Sequence, residues 1–304
     1  MEIKELQSRI RALLKKREAI LLVHNYQRGE IQDLADLTGD SLGLSMQAAR
    51  TEAKVIVFCG VHFMAETASI LCPRKTVLLP RLDAGCPMAD TITAPALRAR
   101  KKELPGVPVV TYVNSTAEVK AESDICCTSA NAVAVVRSIK ADRVLMTPDR
   151  NLAAYTRRHV DQEIITWDGC CNIHDRLTAD QVIKAKERRP EAILMAHPEC
   201  RPEVLDLADV IKSTSGMIEY AAKSEAGEFL VATENGILHQ MRQRNPGKKF
   251  YQVSRTMLCP NMKLTRLKDV LRAIETMDPV VKVPEKVRVR ALAAVERMLA
   301  VPRD

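Results

Sequence analysis

Three short apolar runs along the chain each stop at a polar cluster. Ile20-Leu21-Leu22-Val23 leads to His24-Asn25-Tyr26, Val107-Pro108-Val109-Val110-Thr111 to Tyr112-Val113-Asn114, and Ala192-Ile193-Leu194-Met195-Ala196 to His197-Pro198-Glu199. Runs of this length bounded by polar residues predict buried strands. Two further sets have the same extended character. Lys54–Phe58, Arg143–Met146 and Phe229–Ala232 end at Cys59, Thr147 and Thr233, and Thr76–Leu79, Glu163–Thr166 and Lys249–Val253 each lead to a cysteine. Helical stretches separate the sets.

The spacing between copies is regular. Asp36, Asp124 and Asp209 each stand five residues before Ser41, Ser129 and Thr214 and twelve after His24, Tyr112 and His197, so successive copies lie 88 and then 85 residues apart. Cys86, Cys171 and Cys259 recur at 85 and 88. A recurrence shared by this many landmarks marks an internal repeat of about 85 residues. Strands alternating with helices predict three similar α/β sandwich domains with mainly parallel sheets, in a pseudo-threefold arrangement. The expected divisions are 1–104, 105–189 and 190–263, with joints near Leu104-Pro105-Gly106 and Arg189-Pro190. Ile3–Glu18 reads as an amphipathic helix, and Leu264–Leu299 as two helices split near Pro279 and Pro284; residues 264–304 are expected to pack on the first repeat.

Composition narrows the function. Aromatic residues make up only 3% of the chain, which disfavours base stacking and hence a nucleic-acid partner. A net charge of +8 without a long basic run fits solvated helix faces, or attraction of small anions. No apolar run approaches the roughly 18 residues of a membrane span, and Met1-Glu2-Ile3-Lys4-Glu5 begins a helix pattern rather than a signal peptide, so a cytoplasmic protein without a membrane partner is expected. Nine cysteines in that compartment are thiols or ligands rather than disulfides.

Chemistry follows from what the repeat brings together. A parallel sheet binds ligands beyond the carboxyl ends of its strands, so the three polar clusters and three cysteines converge. Three thiolates suit zinc or an iron–sulfur cluster. Zinc usually adds a fourth ligand and a C-x2-C pair, which this chain lacks, whereas a cubane held by three cysteines leaves one iron open as a Lewis acid. Cys170 neighbours Cys171 and can exchange roles with it. Ser41, Ser129 and Thr214 stand where helices should begin; helix capping is their ordinary role, and three such starts would also receive a polyanionic small molecule. Glu199 suits a general base, with Tyr26 or a histidine as proton donor.

These residues resemble quinolinate synthases. The resemblance rests on His24-Asn25-Tyr26, Gly85-Cys86-Pro87-Met88-Ala89-Asp90, Tyr112-Val113-Asn114, Trp167-Asp168-Gly169-Cys170-Cys171-Asn172-Ile173-His174, His197-Pro198-Glu199-Cys200 and Cys259-Pro260-Asn261-Met262-Lys263, which span nearly the whole chain in order. It implies three α/β domains around a central [4Fe-4S] cluster ligated by Cys86, Cys171 and Cys259, with Cys171 preferred over Cys170 by the family pattern Trp-x-Gly-x-Cys-x-x-His. It implies substrate contacts from His24, Ser41, Tyr112, Val113, Asn114, Ser129, His197, Pro198, Glu199 and Thr214, and acid/base roles for Tyr26 and Glu199. The implied enzyme is a condensing and dehydrating transferase of NAD (pyridine nucleotide) biosynthesis. It joins iminoaspartate (iminosuccinate), supplied by L-aspartate oxidase or aspartate dehydrogenase, to dihydroxyacetone phosphate, yielding quinolinate, phosphate and water. A diphthamide-synthase-like layout also places one cluster cysteine per domain, but the compact His/Tyr/Glu set favours a small substrate. Some family members carry C-x2-C-x2-C at the last cluster cysteine; here the two later positions are Met262 and Thr265.

Overall fold

The structure is a computed structural model that describes residues 2–303; Met1 and Asp304, the outer limits of the expected ranges, lie outside the described residues. It contains three four-stranded sheets. The first is built from β1 (Ala19–His24), β2 (Leu37–Gly39), β3 (Val55–Cys59) and β4 (Thr76–Leu78). The second has β5 (Val109–Tyr112), β6 (Ile125–Cys127), β7 (Arg143–Thr147) and β8 (Glu163–Thr166). The third has β9 (Ile193–Ala196), β10 (Val210–Ile211), β11 (Glu228–Ala232) and β12 (Lys249–Gln252).

Each sheet follows one order, β2-β1-β3-β4, β6-β5-β7-β8 and β10-β9-β11-β12, and every strand pair is parallel. The three similar α/β units expected from the repeat are therefore present. The edge strands β2, β6 and β10 are absent from the sequence expectation, because two or three residues are too few to show a period. β11 ends at Ala232, the last residue of the expected run, whereas β3 and β7 extend one residue beyond theirs, to Cys59 and Thr147.

The recurring aspartates have a structural cause. Leu21 N–H donates to Asp36 Oδ2 at 2.7 Å while Asp36 N–H donates to Leu21 O at 3.0 Å. Val109 and Asp124 repeat this exchange at 2.7 and 3.1 Å, and Leu194 and Asp209 at 2.7 and 3.0 Å. The side chain supplies the acceptor that the start of the first strand lacks before the short edge strand takes over, so these strand amides stay paired.

The C-terminal segment divides its contacts. Helix Leu267–Thr276 packs on helix Ile3–Lys16 and β3 of the first unit. Helix Glu285–Ala300 instead runs between two units, against helix His62–Leu71 of the first and helix Ala117–Lys120 and β6 of the second. It buries Ala291, Ala294, Val295 and Met298 there, the two alanines permitting close approach. Residues 264–304 were expected on the first repeat; this last helix serves the second as well. Among the described residues no helix is long and apolar enough to cross a membrane.

Asp124→Ala leaves the Val109 amide without its acceptor and should cost about 1.5–3 kcal/mol, the range for a hydrogen bond to a charged group. Urea denaturation measures it; an unchanged midpoint contradicts the role given to the repeated aspartates.

Candidate active site and metal centre

The carboxyl ends of β1, β5 and β9 deliver His24, Tyr112 and His197 to one cavity, which Tyr26, Asn114 and Glu199 also line. Cys86, Cys171 and Cys259, from the loops after β4, β8 and β12, line the same cavity, as do Ser41, Ser129 and Thr214. Val113 and Pro198 are not among its lining residues. Val113 is buried in the hydrophobic core and Pro198 borders a neighbouring cleft. The first and third residues of each polar triplet line the cavity and the middle one does not, in the turn or bend that follows each strand end. Cys170 is also not on the cavity lining; it is half-buried near Asp175 and Arg150.

The expected hydroxyl caps are displaced by one or two positions. Helix Ser41–Arg50 is capped by Asp40, whose Oδ1 accepts Gly43 N–H at 2.9 Å, and helix Thr214–Lys223 by Ser213, which accepts Gly216 N–H at 3.4 Å. The third helix, Ala132–Arg137, follows Asn131 rather than Ser129. Ser41 and Thr214 are thus first-turn residues whose hydroxyls serve the cavity rather than the cap. Asn25 Nδ2 donates to Thr214 Oγ1 at 2.9 Å. Asp40 is itself clamped by Arg303 at 2.6 and 3.0 Å, which helps hold its carboxyl below the usual range although burial pushes the other way.

Two histidines are fixed in one tautomer. Tyr26 N–H donates to His24 Nδ1 at 3.1 Å and Glu199 N–H to His197 Nδ1 at 3.3 Å, so each ring carries its hydrogen on Nε2. Burial lowers His24 to about 4 and His197 to about 3, against the pull of nearby carboxylates, and both rings are neutral. His197 Nε2 lies 3.1 Å from Ser129 Oγ.

A continuous row of hydrogen bonds connects the two acid/base candidates. His174 Nδ1 lies 2.7 Å from Glu199 Oε2, its Nε2 lies 2.8 Å from Thr233 Oγ1, and Thr233 Oγ1 lies 2.5 Å from the Tyr26 hydroxyl. With the Nδ1 hydrogen on Glu199, Nε2 accepts from Thr233, and Thr233 accepts from Tyr26. Burial alone would raise the Glu199 carboxyl; the hydrogen bonds donated by His174 and Tyr112 oppose it and favour the ionised form. Burial, and then the Glu199 charge, raise Tyr26 well above its ordinary value, so the row rests with its proton on Tyr26. His174 entered the sequence reading only inside a motif, and Thr233 only as a strand end. His174 does not recur in the other repeats, and although Thr233 falls with Cys59 and Thr147 as a strand terminator, the register puts it level with Gly60 and Pro148, so spacing gave no signal for the role of either.

The thiols are poised for a cationic group. Burial pushes Cys86 up to about 12 and raises Cys171 and Cys259 as well; Cys259 adds to the rise at Cys86, and Cys86 to that at Cys171. Three half-buried thiols, one from each unit, whose ionised forms are disfavoured until their charge is matched, are a donor set that a multi-iron group satisfies by supplying positive charge to all three. Cys171, His174 and Glu199 also place one ligand atom each within 4.8 Å of one another, a grouping able to hold a metal ion.

Comparison with known proteins agrees with this geometry. The family model NadA, described as quinolinate synthetase A protein, matches residues 8–300. The chain is 57% identical over 300 residues to a quinolinate synthase of Geotalea uraniireducens, covering 99% of both chains. It is 55% identical over 301 residues to that of Methanosarcina barkeri, again 99% of both, and 55% identical over 297 residues to that of Desulforudis audaxviator, 97% of this chain and 98% of the other.

Thr233→Val keeps the side-chain shape and removes the hydroxyl that Tyr26 and His174 share. Turnover should fall by at least about 100-fold, the scale of positioned proton transfer, with the thermal midpoint little changed. Turnover close to wild type in a folded variant contradicts the row.

Proposed function

The chain belongs to the quinolinate synthetase A family, and from that premise we propose that it condenses iminoaspartate with dihydroxyacetone phosphate to form quinolinate, phosphate and water for NAD biosynthesis. The observation that carries this reading is one cavity lined by a cysteine from each unit, two hydroxyl-bearing helix starts and the ends of the proton row. The same reading divides the chain into repeats 1–104, 105–189 and 190–263, each with one sheet. It makes a cytoplasmic location and an aspartate-oxidising enzyme as imine source the expected setting.

Cys86, Cys171 and Cys259 are the residues that would hold a [4Fe-4S] cluster. When bound, such a group supplies Lewis acidity at the iron that no cysteine occupies. The protein's own groups account for the rest. The first turns at Ser41 and Thr214 present partial positive charge and hydroxyls to carboxylate or phosphate oxygens. His24 directs a neutral Nε2–H inward, a donor that adds no charge, and His197 shares its Nε2–H with Ser129. Asn114 Oδ1 is buried without a partner in the protein and suits the N–H of an imine or enamine. Tyr112 lies within hydrogen-bonding reach of Glu199 and Ser129 and holds the carboxylate together with His174. Glu199 takes a proton from carbon during enolisation. Tyr26 donates its proton to a departing hydroxyl, which leaves as water, and is reprotonated through Thr233 and His174 from Glu199, which holds the proton taken from carbon.

Protein purified anaerobically should convert iminoaspartate and dihydroxyacetone phosphate to quinolinate. Glu199→Gln and Tyr26→Phe should retain iron and lose most turnover, by roughly 100-fold or more. Absence of quinolinate from iron-replete wild-type protein contradicts the reaction.

A further inference from the structure

The sheet registers make three positions equivalent. Val23, Thr111 and Ala196, each one residue before His24, Tyr112 and His197, pair with Cys59, Thr147 and Ala232. Two residues further along stand Val61, Asp149 and Glu234. The backbone around them repeats in all three units. The next N–H, from His62, Arg150 or Asn235, donates to the carbonyl two residues before the cavity cysteine, Ala84 at 2.8 Å, Gly169 at 2.8 Å or Met257 at 3.0 Å.

The side chains break the symmetry. Asp149 Oδ2 accepts the Cys171 N–H at 3.0 Å while Oδ1 accepts Leu152 N–H at 2.7 Å. Glu234 Oε1 accepts the Cys259 N–H at 3.1 Å while Oε2 accepts Gly236 N–H at 2.7 Å, and Lys263 Nζ lies 3.0 Å from Oε1. Both carboxylates are almost wholly buried, 2% and 0% exposed. At the first unit Val61 offers no acceptor; it is part of the cavity wall, and the Cys86 loop is tied instead by Asn261 Nδ2 donating to Gly85 O at 2.8 Å.

A buried carboxylate is costly unless both oxygens are engaged, and here each oxygen grips a different piece of backbone. One grips the cysteine; the other grips the turn or helix that follows the preceding strand. The distance between sheet and cysteine is thereby set without metal. The Cys171 loop has little room to adjust, since a Cβ on Gly169 would collide with Thr91 and come within 2.6 Å of Pro148 O. Residues beyond the ligands that fix ligand orientation commonly tune metal affinity.

We propose that Asp149 and Glu234 are positioning residues for the metal centre: they hold Cys171 and Cys259 in ligating posture, while the Cys86 corner lacks that carboxylate clamp. The proposal rests on the reading that the three cysteines bind the cluster. It is tested on anaerobically purified holoenzyme, wild type against Asp149→Asn and Glu234→Gln, in which an amide N–H2 opposes one of the two backbone N–H groups. Iron and sulfide per chain, the rate at which a chelator bleaches the cluster absorbance, and the thermal midpoint of cluster-free protein are measured.

Bleaching should be about 10- to 100-fold faster in both variants, with the cluster-free midpoint near that of wild type. Asp149→Glu and Glu234→Asp keep the carboxyl group and change its reach by one methylene, and should bleach at intermediate rates. Wild-type bleaching in a folded amide variant overturns the proposal for that residue. If an amide variant fails to fold, the carboxyl-conserving variant decides: faster bleaching supports the proposal and wild-type bleaching overturns it. Wild-type protein lacking iron and sulfide removes the cluster reading, and the proposal with it; a firmly held cluster that ignores both carboxylates overturns the proposal alone.

Discussion

The meeting of three thiols, from the loops that follow three separate sheets, in one cavity is the constraint around which the rest of the site is arranged. A parallel sheet presents the ends of all its strands along one edge, and triplication places three such edges face to face. Low dielectric then penalises every anion in the space. Cys86, Cys171 and Cys259 are pushed up, Tyr26 and Tyr112 are raised, and Glu199 stays ionised only because donors surround it. A cationic group bound by the thiols relieves this penalty and reverses the local preference for protonated acids.

The neutral donors complement that arrangement. Positively charged side chains nearby are already committed, Lys263 to Glu234 and Arg303 to Asp40. The inward-facing groups offered to a ligand are helix starts, hydroxyls and neutral imidazoles, which recognise carboxylates without neutralising the cavity in advance. The proton row lies beside this lining, joining Glu199 to Tyr26 through side chains from the second and third units.

Spacing made much of this legible. The aspartate, hydroxyl and cysteine triplets recur because each does the same structural or chemical work in each unit, so the three-unit fold and the meeting of the cysteines could be read from residue numbers. What did not recur stayed hidden. Thr233 stands opposite Gly60 and Pro148 in the other units, and His174 has no counterpart that the spacing reveals. Orientation was also out of reach, since whether Val113 and Pro198 face the cavity depends on the geometry of the bend or turn after each strand end, which residue spacing does not reveal. The cap positions slipped for a related reason: Asp40 precedes Ser41 and Ser213 precedes Thr214, and adjacent capping residues compete for the same role.

The account depends most directly on Cys86, Cys171 and Cys259 acting as one unit. Thiol alkylation read out cysteine by cysteine by mass spectrometry, on metal-loaded protein and after iron removal, tests it. The prediction is joint protection of these three when loaded and joint reactivity once iron is gone, with Cys170 equally reactive in both states. Protection of one or two of the three, or of Cys170 in place of Cys171, would contradict a shared centre.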